Sequence, residues 1–153
     1  KTGNAYQAVR EKMSLCKYVE NSVEPLFPFG HGLSYSKFEY SDLSVKTVGT
    51  VEEVSFTVKN TSGLDGKEIA QVYVSECSPT VYRPLKELKG FKKELIKAGE
   101  SKRFTVRLNS RSFAYYSVAD DAWTVNDGIF RIFVGSSAED IRLVGTVHIK
   151  NNF

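Results

Sequence analysis

From Phe38 onward the chain alternates apolar and polar residues with a period of two. Val54, Phe56 and Val58 alternate with Ser55, Thr57 and Lys59; Phe104, Val106 and Leu108 with Thr105 and Arg107; Ile141, Leu143, Val147 and Ile149 with Arg142, Thr146 and His148. Successive side chains of an extended chain point to opposite faces, so each run predicts a strand with one dry face and one wet face. Residues 69–74 and 129–134 are denser apolar runs, as expected of strands central to a sheet. Turn residues separate the runs at Ser62-Gly63-Leu64-Asp65-Gly66, Ala98-Gly99-Glu100, Asn126-Asp127-Gly128 and Gly135-Ser136-Ser137. The pattern predicts about seven strands, at 38–48, 51–60, 68–75, 86–95, 101–108, 128–135 and 141–149, plus a short element at 113–117.

This spacing describes an all-β, immunoglobulin-like antiparallel β-sandwich. A parallel α/β fold is excluded, because helices of about 10–15 residues have no room between these strands. Upstream the period changes. Ala5, Val9, Met13 and Cys16 recur at helical spacing, with Asn4 and Gln7 placed as a partial capping box, which predicts one short amphipathic helix over 5–17. Next, Pro25 and Pro28 impose extended geometry and Gly30 and Gly32 permit tight bends. This linker is apolar, with Leu26, Phe27, Phe29, Leu33 and Tyr35 close together, and is expected to lie docked in a groove. The organisation read from the sequence is therefore a helical or connecting segment at 1–24, an apolar docking linker at 25–37 and the sandwich at 38–150.

With 153 residues, 41% hydrophobic and 25% charged, the chain has the make-up of one globular domain. A net charge of +3 gives no reason to expect nucleic acid. No stretch approaches the about 20 apolar residues of a membrane-spanning helix, so no membrane partner is expected. The chain begins at Lys1 and its one methionine is Met13, which reads as a fragment or a processed chain. Cys16 and Cys77 match neither a disulfide framework nor a Cys-x-x-Cys metal site.

Catalytic chemistry finds little support. His31 lies between glycines and His148 on the outward side of the last strand, and no Gly-x-Ser-x-Gly elbow occurs. The doublets Glu52-Glu53, Asp120-Asp121 and Glu139-Asp140 are poor acid/base pairs, because neighbours on a strand point to opposite faces. No metal-ligand spacing and no phosphate loop is present, so no catalytic residue, metal or cofactor is expected. Among the aromatics, Tyr82, Tyr115, Tyr116 and Trp123 could stack on sugar rings. The competing expectation makes Trp123 a core residue and gives Tyr115 or Tyr116 a tyrosine-corner hydrogen bond. Asn60-Thr61-Ser62 matches a glycosylation sequon and is read as a turn.

Six segments occur in a telling order: FPFGHGLSY at 27–35, FEYSDL at 38–43, VKNTSGLDGKEIAQVYVS at 58–75, RPLKELKGFKK at 83–93, AGES at 98–101 and GIFRIFVGSSAEDIRL at 128–143. Together they resemble the fibronectin type III-like domain of glycoside hydrolase family 3, β-glucosidase type. The resemblance implies a non-catalytic companion to a (β/α)₈ barrel and an α/β sandwich that carry the carboxylates of a retaining β-glycosidase. The family's Ser-Asp-Trp nucleophile motif is absent, and a barrel alone needs at least about 200 residues, so this chain is expected to be inactive by itself. The same resemblance implies interdomain docking through Phe27, Phe29, His31, Leu33 and Tyr35, with Arg83 reaching a carboxylate or carbonyl of a partner domain or else standing exposed. Two other roles are kept beside this one: a carbohydrate-binding module holding oligosaccharide on Tyr82 and Trp123, and a module joining a separate catalytic chain.

Overall fold

A computed structural model describes residues 36–79, 81–83 and 85–150. The helix expected at 5–17 and residues 25–35 of the docking linker expected at 25–37 lie outside the described residues. Strands β1 (Phe38–Val48), β2 (Val51–Asn60) and β5 (Ser101–Asn109) form an antiparallel sheet in the order β1-β2-β5. The facing sheet has the order β4-β3-β8-β9, from β3 (Gly66–Glu76), β4 (Glu87–Ile96), β8 (Gly128–Gly135) and β9 (Ile141–Ile149). The two dense apolar runs are thus the two central strands of the larger sheet. They are apolar on both faces because one face meets the core and the other carries the features described below.

The expected alternation builds the core. Val54, Phe56 and Val58 of β2 and Phe104, Val106 and Leu108 of β5 point inward against Ala70, Val72 and Val74 of β3 and Phe130, Ile132 and Val134 of β8. Phe56 and Phe104 are direct cross-strand partners with ring centroids 5.6 Å apart, and Tyr40 stacks on Phe56 at 6.0 Å. Each such fully buried side chain contributes about 1.5–3 kcal/mol relative to exposure. Along one side the sheets close at Gly90, where a Cβ would stand 2.6 Å from Val106 Cγ1. Only glycine lets β4 lie that close to β5.

The sequon reads correctly as a turn. Asn60 is fully buried, its Nδ2 donating to the Leu64 and Ile96 carbonyls at 2.7 and 2.9 Å. Its Oδ1 accepts from the Ser62 amide at 3.0 Å and the Ser62 hydroxyl at 2.6 Å, so the amide a glycan would need is wholly engaged. The short element at 113–117 resolves into two parts. A 3₁₀ turn at Ser110–Phe113, capped by Asn109, drives Phe113 into the core edge-on to Phe130. After it comes a separate two-stranded ribbon of β6 (Tyr115–Ser117) and β7 (Ala122–Thr124), the second of which the alternation did not predict.

Candidate functional site

Two surfaces stand out, joined by one buried ionic cluster. In the cluster, Arg83 Nη1 donates to Glu76 Oε2 at 3.0 Å, and its Nε and Nη2 donate to Glu87 Oε2 at 3.1 and 2.7 Å. The same guanidinium donates to the carbonyls of Phe113 and Ala114 at 3.2 and 3.4 Å. The planar fork of arginine suits this task, since its donors point in several fixed directions at once. The carboxylates and carbonyls that Arg83 meets therefore belong to its own domain, and the side chain is only 5% exposed. This corrects both sequence expectations for Arg83. The loop after β3 folds back over the 3₁₀ turn and brings Arg83 inward, a long-range contact that local pattern does not register.

The first surface is the outer face of the four-stranded sheet. Strand register places Leu88, Tyr73, Phe133 and Val144 in one row across all four strands. Beside the row lie Ile69, Phe91 and Leu95 on the same face, set there by alternation with the core-facing Ala70, Gly90 and Ile96. Phe91 is 67% exposed and Val144 56%, and Ile69, Leu88 and Leu95 are also open. Gln71, Lys93 and Lys67 stand directly across from Phe91, Ile69 and Leu95 on this face, and among them the exposed apolar side chains are more numerous than a wet face usually carries, which marks a candidate interaction surface.

The second surface is a hollow of about 540 Å³ between the loop after β3 and the β6–β7 ribbon, lined by Tyr82, Tyr115, Tyr116 and Trp123 among others. Trp123 is exposed, which overturns its expected place in the core. The ribbon stands apart from both sheets, so its side chains have a protein surface on one side at most. Tyr116 lies directly opposite Trp123 and meets it edge-on at 5.8 Å, and the Arg111 guanidinium sits 4.8 Å from the Trp123 ring. The Tyr116 hydroxyl donates to the Asp121 carboxylate, a side-chain contact rather than a tyrosine corner. Tyr115 instead lies against the Arg83 guanidinium.

Comparison with known proteins decides the family. A family model for the fibronectin type III-like domain matches residues 68–138, from β3 to the β8–β9 turn. Thermostable β-glucosidase B of Acetivibrio thermocellus is 48% identical over 88% of this chain, and exo-α-(1→6)-L-arabinopyranosidase of Bifidobacterium breve is 44% identical over 82%. The solved glycoside hydrolase family 3 β-glucosidase of Bifidobacterium adolescentis superposes with a TM-score of 0.76 at 44% identity over 80% of this chain. The chain is a fibronectin type III-like domain of the family 3 β-glucosidase type. It spans only 18% and 17% of the length of the two sequence relatives, and 18% of the solved chain.

In this fibronectin type III-like domain the other candidate residues are dispersed. Phe27, Phe29, His31, Leu33 and Tyr35 lie outside the described residues, and His148 is exposed on β9. Each carboxylate doublet is divided between local partners. Glu52 holds the Thr47 hydroxyl at 3.0 and 2.9 Å while Glu53 pairs with Arg107 at 3.1 Å. Asp120 accepts from the Ser117 hydroxyl at 2.7 Å, and Asp140 pairs with Arg142 at 2.7 Å. Cys77 is disulfide-bonded. Burial pushes the Glu68 carboxyl above the usual range, against the pull of the Ile69 N–H and of Arg142. Sequence reasoning missed the outer face and the Arg111 contact. The apolar positions Ile69, Leu88, Phe91 and Leu95 were a readable signal for the first, since the core needs only alternate residues.

Proposed function

We propose that this chain is the ancillary, non-catalytic fibronectin type III-like domain of a larger glycoside hydrolase of the β-glucosidase type. The parent would hydrolyse terminal β-glycosides with retention, through two carboxylates carried on its barrel and α/β sandwich domains. One observation carries this reading. Matching segments, 48% and 44% identical to this chain, make up 18% of a β-glucosidase and 17% of an arabinopyranosidase, so one kind of domain accompanies enzymes named for different sugars.

The outer sheet face supplies the means of attachment. Seating Ile69, Phe91, Leu95 and Val144 against the other domains would gain about 25 cal/mol for each Å² of apolar surface removed from water. The segment bearing Phe27, Phe29, His31, Leu33 and Tyr35 leads directly into β1 and would engage the same neighbours. Arg83 is left out of this docking set, because its donors are already taken.

The test has two arms. Incubated with an aryl β-glucoside, the chain alone should give no turnover above buffer. Added in trans to the Acetivibrio thermocellus enzyme trimmed of its matching segment, it should lengthen that enzyme's thermal half-life. The double variant Phe91→Asp, Leu95→Asp should fold normally and lose the effect. Turnover by the isolated chain, or an equal effect from the double variant, would overturn the reading.

A further inference from the structure

We infer that the aromatic hollow between the loop after β3 and the β6–β7 ribbon is a carbohydrate-binding surface, on which pyranose rings of an oligosaccharide stack against Tyr82 and Trp123. The docking role does not use this surface. Tyr82 is 98% exposed, Trp123 56% and Tyr116 47%, yet all three line one concavity. Three large rings gathered around one wet hollow are not packing residues that happen to reach the surface.

The rings of the ribbon are also held in place, while Tyr82 stands free at the rim. Trp123 is set by Tyr116, whose ring meets it at 77°, and by the Arg111 guanidinium, which lies over one of its faces 4.8 Å from the centroid. Tyr116 is fixed in turn by its hydroxyl, which donates to Asp121, at the ribbon's turn. Asp121 adopts φ 48°, a left-handed conformation that aspartate tolerates and that closes the turn tightly. Beneath lies the Arg83 cluster, with Tyr115 against its guanidinium. The Trp123 side of the hollow, prepared in this way, loses little side-chain freedom on binding, and Tyr82 supplies a mobile second face.

The chemistry of the lining selects the ligand class. A pyranose ring presents an apolar C–H face and a rim of hydroxyls that both donate and accept hydrogen bonds. Flat aromatic rings match the face. The Tyr82 hydroxyl offers both kinds of partner for the rim, and the Lys89 ammonium adds donors. A protein partner suits the outer sheet face better, where Ile69, Leu88, Leu95 and Val144 are aliphatic and without polar tips. That the oligosaccharide is a glucan rests on the parent reading; that the hollow takes a sugar does not.

Trp123 is the chain's one tryptophan, so its fluorescence reports directly on the hollow. The full chain is titrated with cellohexaose, laminarihexaose and xylohexaose, and run on native gels containing barley β-glucan, laminarin or xylan. Binding should shift the Trp123 emission, protect it from iodide quenching and retard migration in at least one gel. Tyr82→Ala removes a side chain that supports nothing in the fold, and should weaken binding about tenfold or more. The Phe91→Asp, Leu95→Asp variant should bind as the unmodified chain does. No retardation in any gel with unchanged Trp123 emission, or undiminished binding by Tyr82→Ala, overturns the inference. A xylan-only response supports the sugar surface and counts against the glucan, while the trans-complementation assay judges the parent reading separately.

Discussion

Arg83 and Glu76 leave only 5% and 4% of their side chains exposed, so neither charge can turn to water if the other is removed. Arg83→Ala would leave the Glu76 carboxylate with the Asn126 amide, which donates to it at 3.0 Å, in place of the guanidinium. Breaking a buried pair in this way costs about 3–5 kcal/mol. Urea unfolding should register that loss as a lower midpoint at unchanged slope. Arg83→Lys should recover part of it, since one ammonium cannot span Glu76, Glu87 and two carbonyls. A loss below about 1 kcal/mol, typical of an exposed pair, would contradict the assignment. Glu68 makes the opposite kind of statement. Its folded-state pKa is raised by burial, with Tyr40, Asp140 and Arg142 as its charged or titratable neighbours. The folded protein therefore binds the Glu68 proton more tightly than the unfolded chain does. That contribution is fully present below the ordinary glutamate value of about 4.3 and is lost as pH rises through the folded value. Glu68→Gln should flatten the decline, so its Tm should exceed that of the unmodified chain at neutral pH and converge with it in acid. A variant less stable at neutral pH would show the carboxylate to be favoured.

At the level of elements, legibility followed the physics of each segment. Strands β1, β2, β8 and β9 were read to the residue, because alternation on one buried face leaves little freedom of phase. Strand β4 carries Lys89, Lys92 and Lys93 at the edge of its sheet, a pattern that keeps an open edge from pairing with another chain. The β6–β7 ribbon escaped because three-residue strands are too short to display a period. The β8–β9 connection depends on one residue. A Cβ on Gly135 would overlap the Asp140 carbonyl and stand 2.9 Å from Ile141 Cα, and neither backbone atom can yield cheaply. Gly135→Ala should cost about 1–3 kcal/mol by overpacking. Calorimetry should record a lower Tm, and an unchanged Tm would mean that the turn can move.

On the scale of the whole molecule, two sheets enclose one core and leave two dissimilar surfaces outside it. The outer sheet face spreads apolar side chains over four strands among Lys67, Gln71 and Lys93, whereas the hollow is aromatic, concave and confined to one end. They support separate roles, attachment to the rest of a larger enzyme and contact with a sugar chain, and variants in one should leave the other intact. What the amino-acid sequence determined by itself was the succession of strands along the chain, the inward residues and the family, because period-two alternation and ordered motifs are local properties of the chain. It also located Tyr82 and Trp123 as aromatics worth following. Only the tertiary structure decided that Arg83 turns inward and that Trp123 turns outward. Both outcomes depend on residues about 30 or more positions away or on a ribbon standing clear of the sheets. Burial at such positions is set by what the folded chain brings alongside them, which no local pattern records.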